Sequence, residues 1–360
     1  ARSQIRSWEN PLEVLLEMFP EADIYTLLYD EGKTKGRFAG KPIQTSFLDL
    51  PFIKKKHRIF IPFMPLGAKF LTSKKTYDLV ISSSAGYAKG FSVDGAYHIS
   101  YCLSPLRYAW EIDYMKDLPY APWPLKEWVV RPVAGWLKSW DKNAAAKVNV
   151  FIADSKYIAE KVRSYYGRDA TVIYPPVDGT KFYRELQTRQ GEYYLMAGRL
   201  LYYKAFDLGI EAFNRLKKPL KIVGNGPEFR KLQKLATSPH ITFITDANDD
   251  DLRMLYNNAR AFIFPQIEDF GLVAAEAQAC GLPVIAYAVG GGGEIVEHKK
   301  TGVLFDRQTP EALIEAVKLF ETLSFNRAAI QKSAARFSKE NFKRQFNGML
   351  SDFGFHVETS

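Results

Sequence analysis

Residues 264–286 read FPQIEDFGLVAAEAQACGLPVIA: an aromatic and apolar run, an acidic residue, a glycine, a stretch of helix formers closed by Cys280-Gly281, and a second apolar run. A strand that turns through glycine into a helix and then into another strand is one βαβ step of a parallel sheet. Ligands of such sheets bind beyond the carboxyl ends of the strands. Phe270, Gly271, Leu272 and Val273 would present N–H groups at the helix start, and with the positive end of the helix dipole these suit a diphosphate. Glu276, about one turn further in, is placed to accept two hydrogen bonds from vicinal ribose hydroxyls. Glu268, at the strand end, is placed to reach a hexose. Two glutamates eight residues apart arise by chance on any helical chain, so the pair gains weight only from its partners.

Those partners lie upstream. AGRLLYYKAFD (197–207) sets Gly198 and Arg199 at the end of a strand and Lys204 near the start of the next helix. Two cations from one loop can neutralise a departing diphosphate. VGNGPEF (223–229) is another strand-to-helix turn, in which Gly224, Asn225 and Gly226 let backbone approach a ligand. As a dinucleotide fingerprint it fails, because Phe229 stands where the third glycine belongs. The glycine run at 290–293 reads as a flexible turn bordering the same pocket or as a plain loop.

Around these motifs the second half alternates short strand-like runs (193–200, 220–226, 241–247, 261–266, 283–291) with amphipathic helical stretches, the pattern of a doubly wound parallel sheet. The first half gives six further strand candidates: ADIYTLLYD, KPIQTSF, YDLVISSS, YHISYCL, VNVFIADS and ATVIYPP. YIAEKVRSYYG reads as a helix capped by Gly167, and the hinge is expected near Pro175 to Asp178. The fold class is therefore α/β: two Rossmann-like doubly wound domains facing a central cleft. Residues 1–176 and 177–335 form the domains, and a C-terminal helix in 336–360 packs back on the first.

Composition agrees. A chain of 360 residues with 47% apolar and 25% charged side chains is long enough for two ordinary domains and is neither disordered nor fibrous. Without a long apolar run or signal-like N-terminus, the expectation is a cytoplasmic protein. Cys102 and Cys280 stand alone and read as small buried residues. The net charge of +9 is concentrated in the first 180 residues, where 25 Lys and Arg face 19 Asp and Glu. No helix-turn-helix, zinc or RNP pattern accompanies that charge, which excludes nucleic acid as the expected partner.

Taken together, Gly198-Arg199 with Lys204, Gly224 to Pro227, Glu268 to Ala286, Gly291 to Val296 and Thr301 to Phe305 resemble, in order and over about 130 residues, the C-terminal half of the family four GT-B glycosyltransferases. FPEADIYTLLYD, YDLVISSS, YCLSPLRYAW and SKYIAEKVRSYYGRDATVIYPPVD resemble that family's bacterial and archaeal mannosyltransferase branch. The resemblance implies a retaining hexosyltransferase using a nucleotide sugar, with GDP-mannose favoured and UDP sugars open. Arg199 and Lys204 would then hold the diphosphate, Glu276 the ribose, and Glu268 the transferred sugar. Two departures stand out. Only ARSQIRSWEN precedes the helix PLEVLLEMF, where relatives carry a strand and a glycine-rich loop, and Leu103 stands where the branch commonly has histidine.

Ser104, Arg107, Tyr108 and Trp110 are the candidates on the acceptor side. With no second carboxylate evident beside Glu268, front-face displacement is the expected mechanism. No metal or cofactor is called for, the nucleotide sugar being a substrate. The basic, aromatic segment PFIKKKHRIFIPFMPLGAKFLTSKK (51–75) suits an anionic membrane surface, a peripheral position on the inner face, and a glycan or lipid-linked saccharide acceptor of polysaccharide biosynthesis. APWPLKEWVVRPVAGWLKSW (121–140) reads as core or acceptor groove. A catalytically inactive nucleotide-sugar-binding or scaffold homologue is the alternative; an epimerase would need an acid and base that the sequence does not offer.

Overall fold

The computed structural model describes residues 9–34, 36–38, 40–111, 125–186, 191 and 193–355. The opening ARSQIRSW, the start of the 121–140 stretch and the last five residues lie outside them. Two compact units emerge. Leu15–Ile173 forms one; Tyr174 onward, with the described residues up to Val14, forms the other.

The first unit follows α1 (Glu9–Met18) with β1 (Ile24–Thr26), α2 (Glu31–Thr34), β2 (Ile43–Thr45), α3 (Pro51–Lys55), a 3-10 segment (His57–Phe63), α4 (Met64–Phe70) and β3 (Leu79–Ser84). It continues through β4 (Tyr97–Cys102), α5 (Arg107–Trp110), α6 (Leu125–Ala146), β5 (Val150–Ala153), α7 (Lys156–Tyr166) and β6 (Ala170–Val172). All six strands expected from its sequence are present. Strands β3 to β6 form a parallel sheet in chain order, while β1 and β2 pair in a separate parallel ladder. The order reversal of a doubly wound sheet is therefore absent from the four-stranded sheet. Helix α7 is bounded as its sequence dictates: the Ser155 hydroxyl accepts the Ile158 amide, and Gly167 closes it in the left-handed conformation at φ 66°. Helix α6 occupies the stretch read as aromatic core or groove, with Pro132 inside it.

A buried polar knot lies within this unit. Lys89 Nζ meets Asp141 Oδ1 at 2.5 Å with both side chains almost fully enclosed. The other Asp141 oxygen accepts from Trp110 Nε1 at 2.8 Å and from the Tyr166 hydroxyl at 2.6 Å. A buried ion pair is tolerated only when its remaining valences are met in this way. His98 is likewise a packed strand residue. Its Nε2 pairs with Ser82 Oγ at 2.9 Å, and burial pushes its pKa down to about 4, so the ring is neutral.

The second unit runs β7 (Tyr194–Ala197), α8 (Phe206–Leu216), β8 (Leu220–Val223), α9 (Phe229–Leu235), β9 (Ile241–Ile244), α10 (Asp249–Asn258), β10 (Ala261–Phe264) and α11 (Leu272–Ala279). Then come β11 (Val284–Tyr287), α12 (Gly291–Ile295), β12 (Gly302–Phe305), α13 (Pro310–Glu321), α14 (Arg327–Ala334) and α15 (Lys339–Asp352). Its six strands are parallel in the order β12-β11-β10-β7-β8-β9. The chain builds outward from β7 to β9, returns to lay β10 against the other side of β7, and builds outward again. That reversal makes the gap beyond the ends of β7 and β10 a topological switch point. The sequence reading anticipated five of these strands; β12 is the TGVLF motif, read there only as part of the family pattern. Strands β7, β10 and β11 are buried nearly throughout, and α8 packs Phe206, Ile210 and Phe213 into one of the flanking cores. Each such side chain contributes about 1.5–3 kcal/mol. Cys280 is buried here and Cys102 in the first unit, both as free thiols.

Candidate nucleotide-sugar site

The switch point brings together the two loops that the sequence singled out. From the end of β10 the chain passes through Pro265 to Gly271 before α11 begins. Helix α11 has no side-chain cap at Gly271, which is left-handed at φ 93°. Among the described residues, the amides of Leu272 and Val273 donate no hydrogen bond; the first turn closes with the Ala274 and Ala275 amides on Gly271 O, at 2.9 and 3.4 Å. The helix therefore offers unsatisfied donors and the positive end of its dipole at one point.

Glu276 lies in the second turn of α11 and is 3% exposed. Its Oε2 is buried with no hydrogen-bond partner among the described residues. Burial raises the carboxyl's pKa well above its ordinary value; Asp249 adds to the shift, and Lys181 opposes it. Native structures rarely leave a buried carboxylate oxygen unpaired, and such a group is costly unless a ligand completes it.

On the β7 side, a 3-10 turn at Tyr202–Lys204 ends in Ala205, held left-handed at φ 50°, and this aims Lys204 across the switch point. Its Nζ donates to Glu268 Oε1 at 2.5 Å, with both side chains less than a fifth exposed. Lys204 and Glu268, 64 residues apart in sequence, are thus in direct contact. Arg199 sits in the same loop, exposed, and among the described residues it has no ion pair or hydrogen bond from its side chain.

Sequence reasoning missed Gln266. Its Nε2 donates to the same Glu268 oxygen at 3.0 Å, and the residue is 2% exposed. Two donors hold Oε1, which leaves Oε2 as the oxygen available to a ligand. The only signal in the sequence was the place of Gln266 beside Glu268, just past the end of β10.

The glycines serve loop packing. A Cβ on Gly224, at φ 134°, would stand 1.9 Å from Gly198 O, so the turn after β8 can lie against the end of β7 only without a side chain. This differs from the expectation that the glycines admit a ligand: the close approach is to a neighbouring loop. Asn225 Oδ1 accepts the Gly226 amide at 2.8 Å, and its carbonyl accepts the Leu200 amide at 3.0 Å. The run at 290–293 is no loose turn. Gly291 opens α12 and donates its amide to Glu268 O at 2.9 Å, and a Cβ there would sit 1.6 Å from Phe270 O. The run therefore buttresses the backbone that carries Glu268.

The acceptor-side candidates follow β4 in the first unit. Ser104 is buried and accepts from Arg107 Nε at 3.2 Å. Tyr108 is half-buried against the cluster around Leu106 and Leu137. Trp110 donates to Asp141 and stacks on Tyr165 with ring centroids 4.3 Å apart. Leu103 is 9% exposed. The structure gives Ser104 and Trp110 partners within the first unit.

Residues 180–344 match the family described as Glycosyl transferases group 1. An uncharacterized glycosyltransferase of Methanocaldococcus jannaschii is 29% identical over 212 residues, covering 57% of this chain and 58% of that protein. The GDP-mannose-dependent alpha-(1-6)-phosphatidylinositol monomannoside mannosyltransferase of Mycobacterium tuberculosis is 30% identical over 219 residues, covering 53% and 56%. The chain thus spans somewhat over half the length of the curated relatives it matches. Anabaena HepE, solved in complex with UDP-glucose, shares the fold over 98% of this chain and 97% of its own, with a TM-score of 0.69 at 15% identity. Residues 180–344 thus carry the pattern of the glycosyl transferases group 1 family, and the two α/β units with parallel sheets have the GT-B fold.

Proposed function

We propose that the chain is a retaining glycosyltransferase that moves a hexose from a nucleoside-diphosphate sugar to a glycan or lipid-linked saccharide. The observation that carries the reading is Glu276: a buried carboxylate with an orphan oxygen, inside a helix whose first amides donate no hydrogen bond among the described residues. A ribose diol would donate to that carboxylate, and the diphosphate would lie on the helix tip, where Lys204 and Arg199 supply positive charge. Glu268 would receive sugar hydroxyls on the oxygen that Lys204 and Gln266 leave open. Charge developing on the departing diphosphate is then met by fixed donors and cations.

In this scheme the acceptor oxygen attacks the anomeric carbon on the face that the diphosphate leaves. The C–O bond to phosphate breaks as the glycosidic bond forms, and the acceptor's proton passes to the departing phosphate. The scheme needs no second carboxylate as a glycosyl nucleophile, unlike the two-carboxylate retaining glycosidases. GDP-mannose is the favoured donor, supported by the mycobacterial relative's name; the UDP-glucose bound to HepE keeps UDP sugars as the second choice.

One observation favours nucleotide-sugar binding without turnover: buried, apolar Leu103 occupies a position where the resemblance calls for histidine. The two readings separate when the protein is incubated with GDP-mannose, UDP-glucose and UDP-N-acetylglucosamine, each with and without a lipid-linked saccharide. Acceptor-dependent nucleotide release and a product of unchanged anomeric configuration are expected. Binding without release in every case would establish the binder, and an inverted product would sink retention.

A further inference from the structure

The segment from Phe47 to Phe70 turns its large side chains outward. Phe47, Phe52, Phe63 and Phe70 are each more than half exposed, and Leu66 is 39% exposed. Helix α4 is inverted: Met64, Gly67 and Ala68 face inward, while Phe63, Leu66 and Phe70, spaced three and four apart, form a stripe on the outer face. The rings form two contacting groups. Phe47 lies 6.2 Å from Phe70 between centroids, and Phe60 bridges Phe52 at 5.7 Å and Phe63 at 6.3 Å.

This surface has a one-signed rim. Lys55, Lys56 and Lys69 are exposed and, among the described residues, have no ion pair; no acid occurs between Lys54 and Lys75. Lys69 Nζ lies 5.9 Å from the Phe70 ring centre. Large apolar side chains exposed together in this way mark a binding surface. A second copy would bring lysines against lysines. An anionic bilayer offers opposite charge at the headgroups and an interfacial layer into which aromatic and aliphatic side chains partition. Among the described residues no helix is long and apolar enough to cross a membrane, so the contact is in-plane.

We infer that the α3–α4 face docks on an anionic lipid surface. The inference does not depend on the transfer reaction, since no residue of the nucleotide-sugar site takes part. The test is co-sedimentation of the full chain with vesicles of phosphatidylcholine alone or with roughly a third phosphatidylglycerol, at low and high salt. Binding to the anionic vesicles that falls as salt rises is expected. Each of Lys55→Gln and Lys56→Gln should lower the partition coefficient about fivefold. Phe63→Ser with Phe70→Ser should remove binding while melting temperature and nucleotide binding stay unchanged. Equal binding to both vesicle types, no binding, or retention by the phenylalanine double variant would overturn the inference. So would a dimer in light scattering that the double variant dissolves, which would make a second copy the occupant.

Discussion

Replacing Glu276 with Gln should strengthen the fold and weaken the ligand together. The folded carboxyl holds its proton more tightly than the ordinary 4.5, chiefly because burial penalises the charge. A group whose folded pKa is raised makes stability fall as pH climbs from the unfolded value through the folded one. Gln carries no charge, so variant and parent should melt alike near about pH 4 and diverge above it. A buried carboxylate oxygen without a partner costs about 1–3 kcal/mol, and each kcal/mol moves the melting temperature of a domain this size by about 2–4 °C. At neutral pH, Glu276→Gln should therefore melt about 3 °C higher or more. Nucleotide affinity moves the other way. Once the carboxyl gives up its proton to accept both ribose hydroxyls, two hydrogen bonds to a charged acceptor in the parent stand against one to a neutral amide oxygen in the variant, a loss of about 2–3 kcal/mol, or roughly 30- to 150-fold in Kd. Calorimetric titration with GDP and UDP measures the affinity, and scanning calorimetry across pH measures the melting. A variant that melts lower than the parent at neutral pH and binds nucleotide equally well would refute the assignment of Glu276 to the ligand.

Three further outcomes follow from the same coordinates. Lys204→Ala removes the cation nearest Glu268 and should lower kcat about 100- to 1000-fold in the transfer assay; a loss below about tenfold would place the diphosphate elsewhere. Gln266→Leu frees Glu268 Oε1 from its second donor, so kcat should fall about tenfold while calorimetry shows nucleotide Kd unchanged; parallel losses in both would make Gln266 structural only. Asp141→Asn leaves the buried Lys89 ammonium without its counter-charge and should cost about 3–5 kcal/mol in urea unfolding, whereas a cost under about 1 kcal/mol would show the knot to be reached by water.

Much of the second unit was legible because its strands are β-branched or aromatic runs ended by glycine, asparagine or aspartate, each followed by a helix with a readable start. Helix α10 shows why: Asn248 accepts the Asp251 amide while the Asp251 side chain accepts the Asn248 amide, a capping box written in four residues. Helix α11 was harder. Leu272 to Gln278 are all buried, so the helix has no polar face to give it a period. It was recognised by its helix formers and by the glycine before it. What composition cannot supply is which loop faces which. Lys204 meets Glu268 only because β10 returns to pair with β7, and that choice of neighbour is made by the whole sheet rather than by either segment.

In the first unit the outward aromatics of 51–75 were legible from the lysines among them, and the physical reason the fold leaves them outside bears on the proposed lipid surface. Read as a helix, Phe63, Leu66 and Phe70 have the spacing of a buried stripe, and a periodicity argument alone would turn them inward. The fold reverses them because the other face must come closer than large side chains allow. A Cβ on Gly67 would already stand 2.7 Å from Leu48 Cδ1 and 3.2 Å from Leu27 Cδ2. Only the small face of α4 fits against Leu27 and Leu48, so the phenylalanines are left outside. Sequence periodicity finds an apolar stripe but does not say which of two faces packs when one is apolar and large and the other apolar and small. Packing distance decides, and here it selects Gly67 and Ala68. An apolar helix face kept outside by the tightness of its own interior, with lysines beside it, is the surface that the proposed anionic lipid would cover.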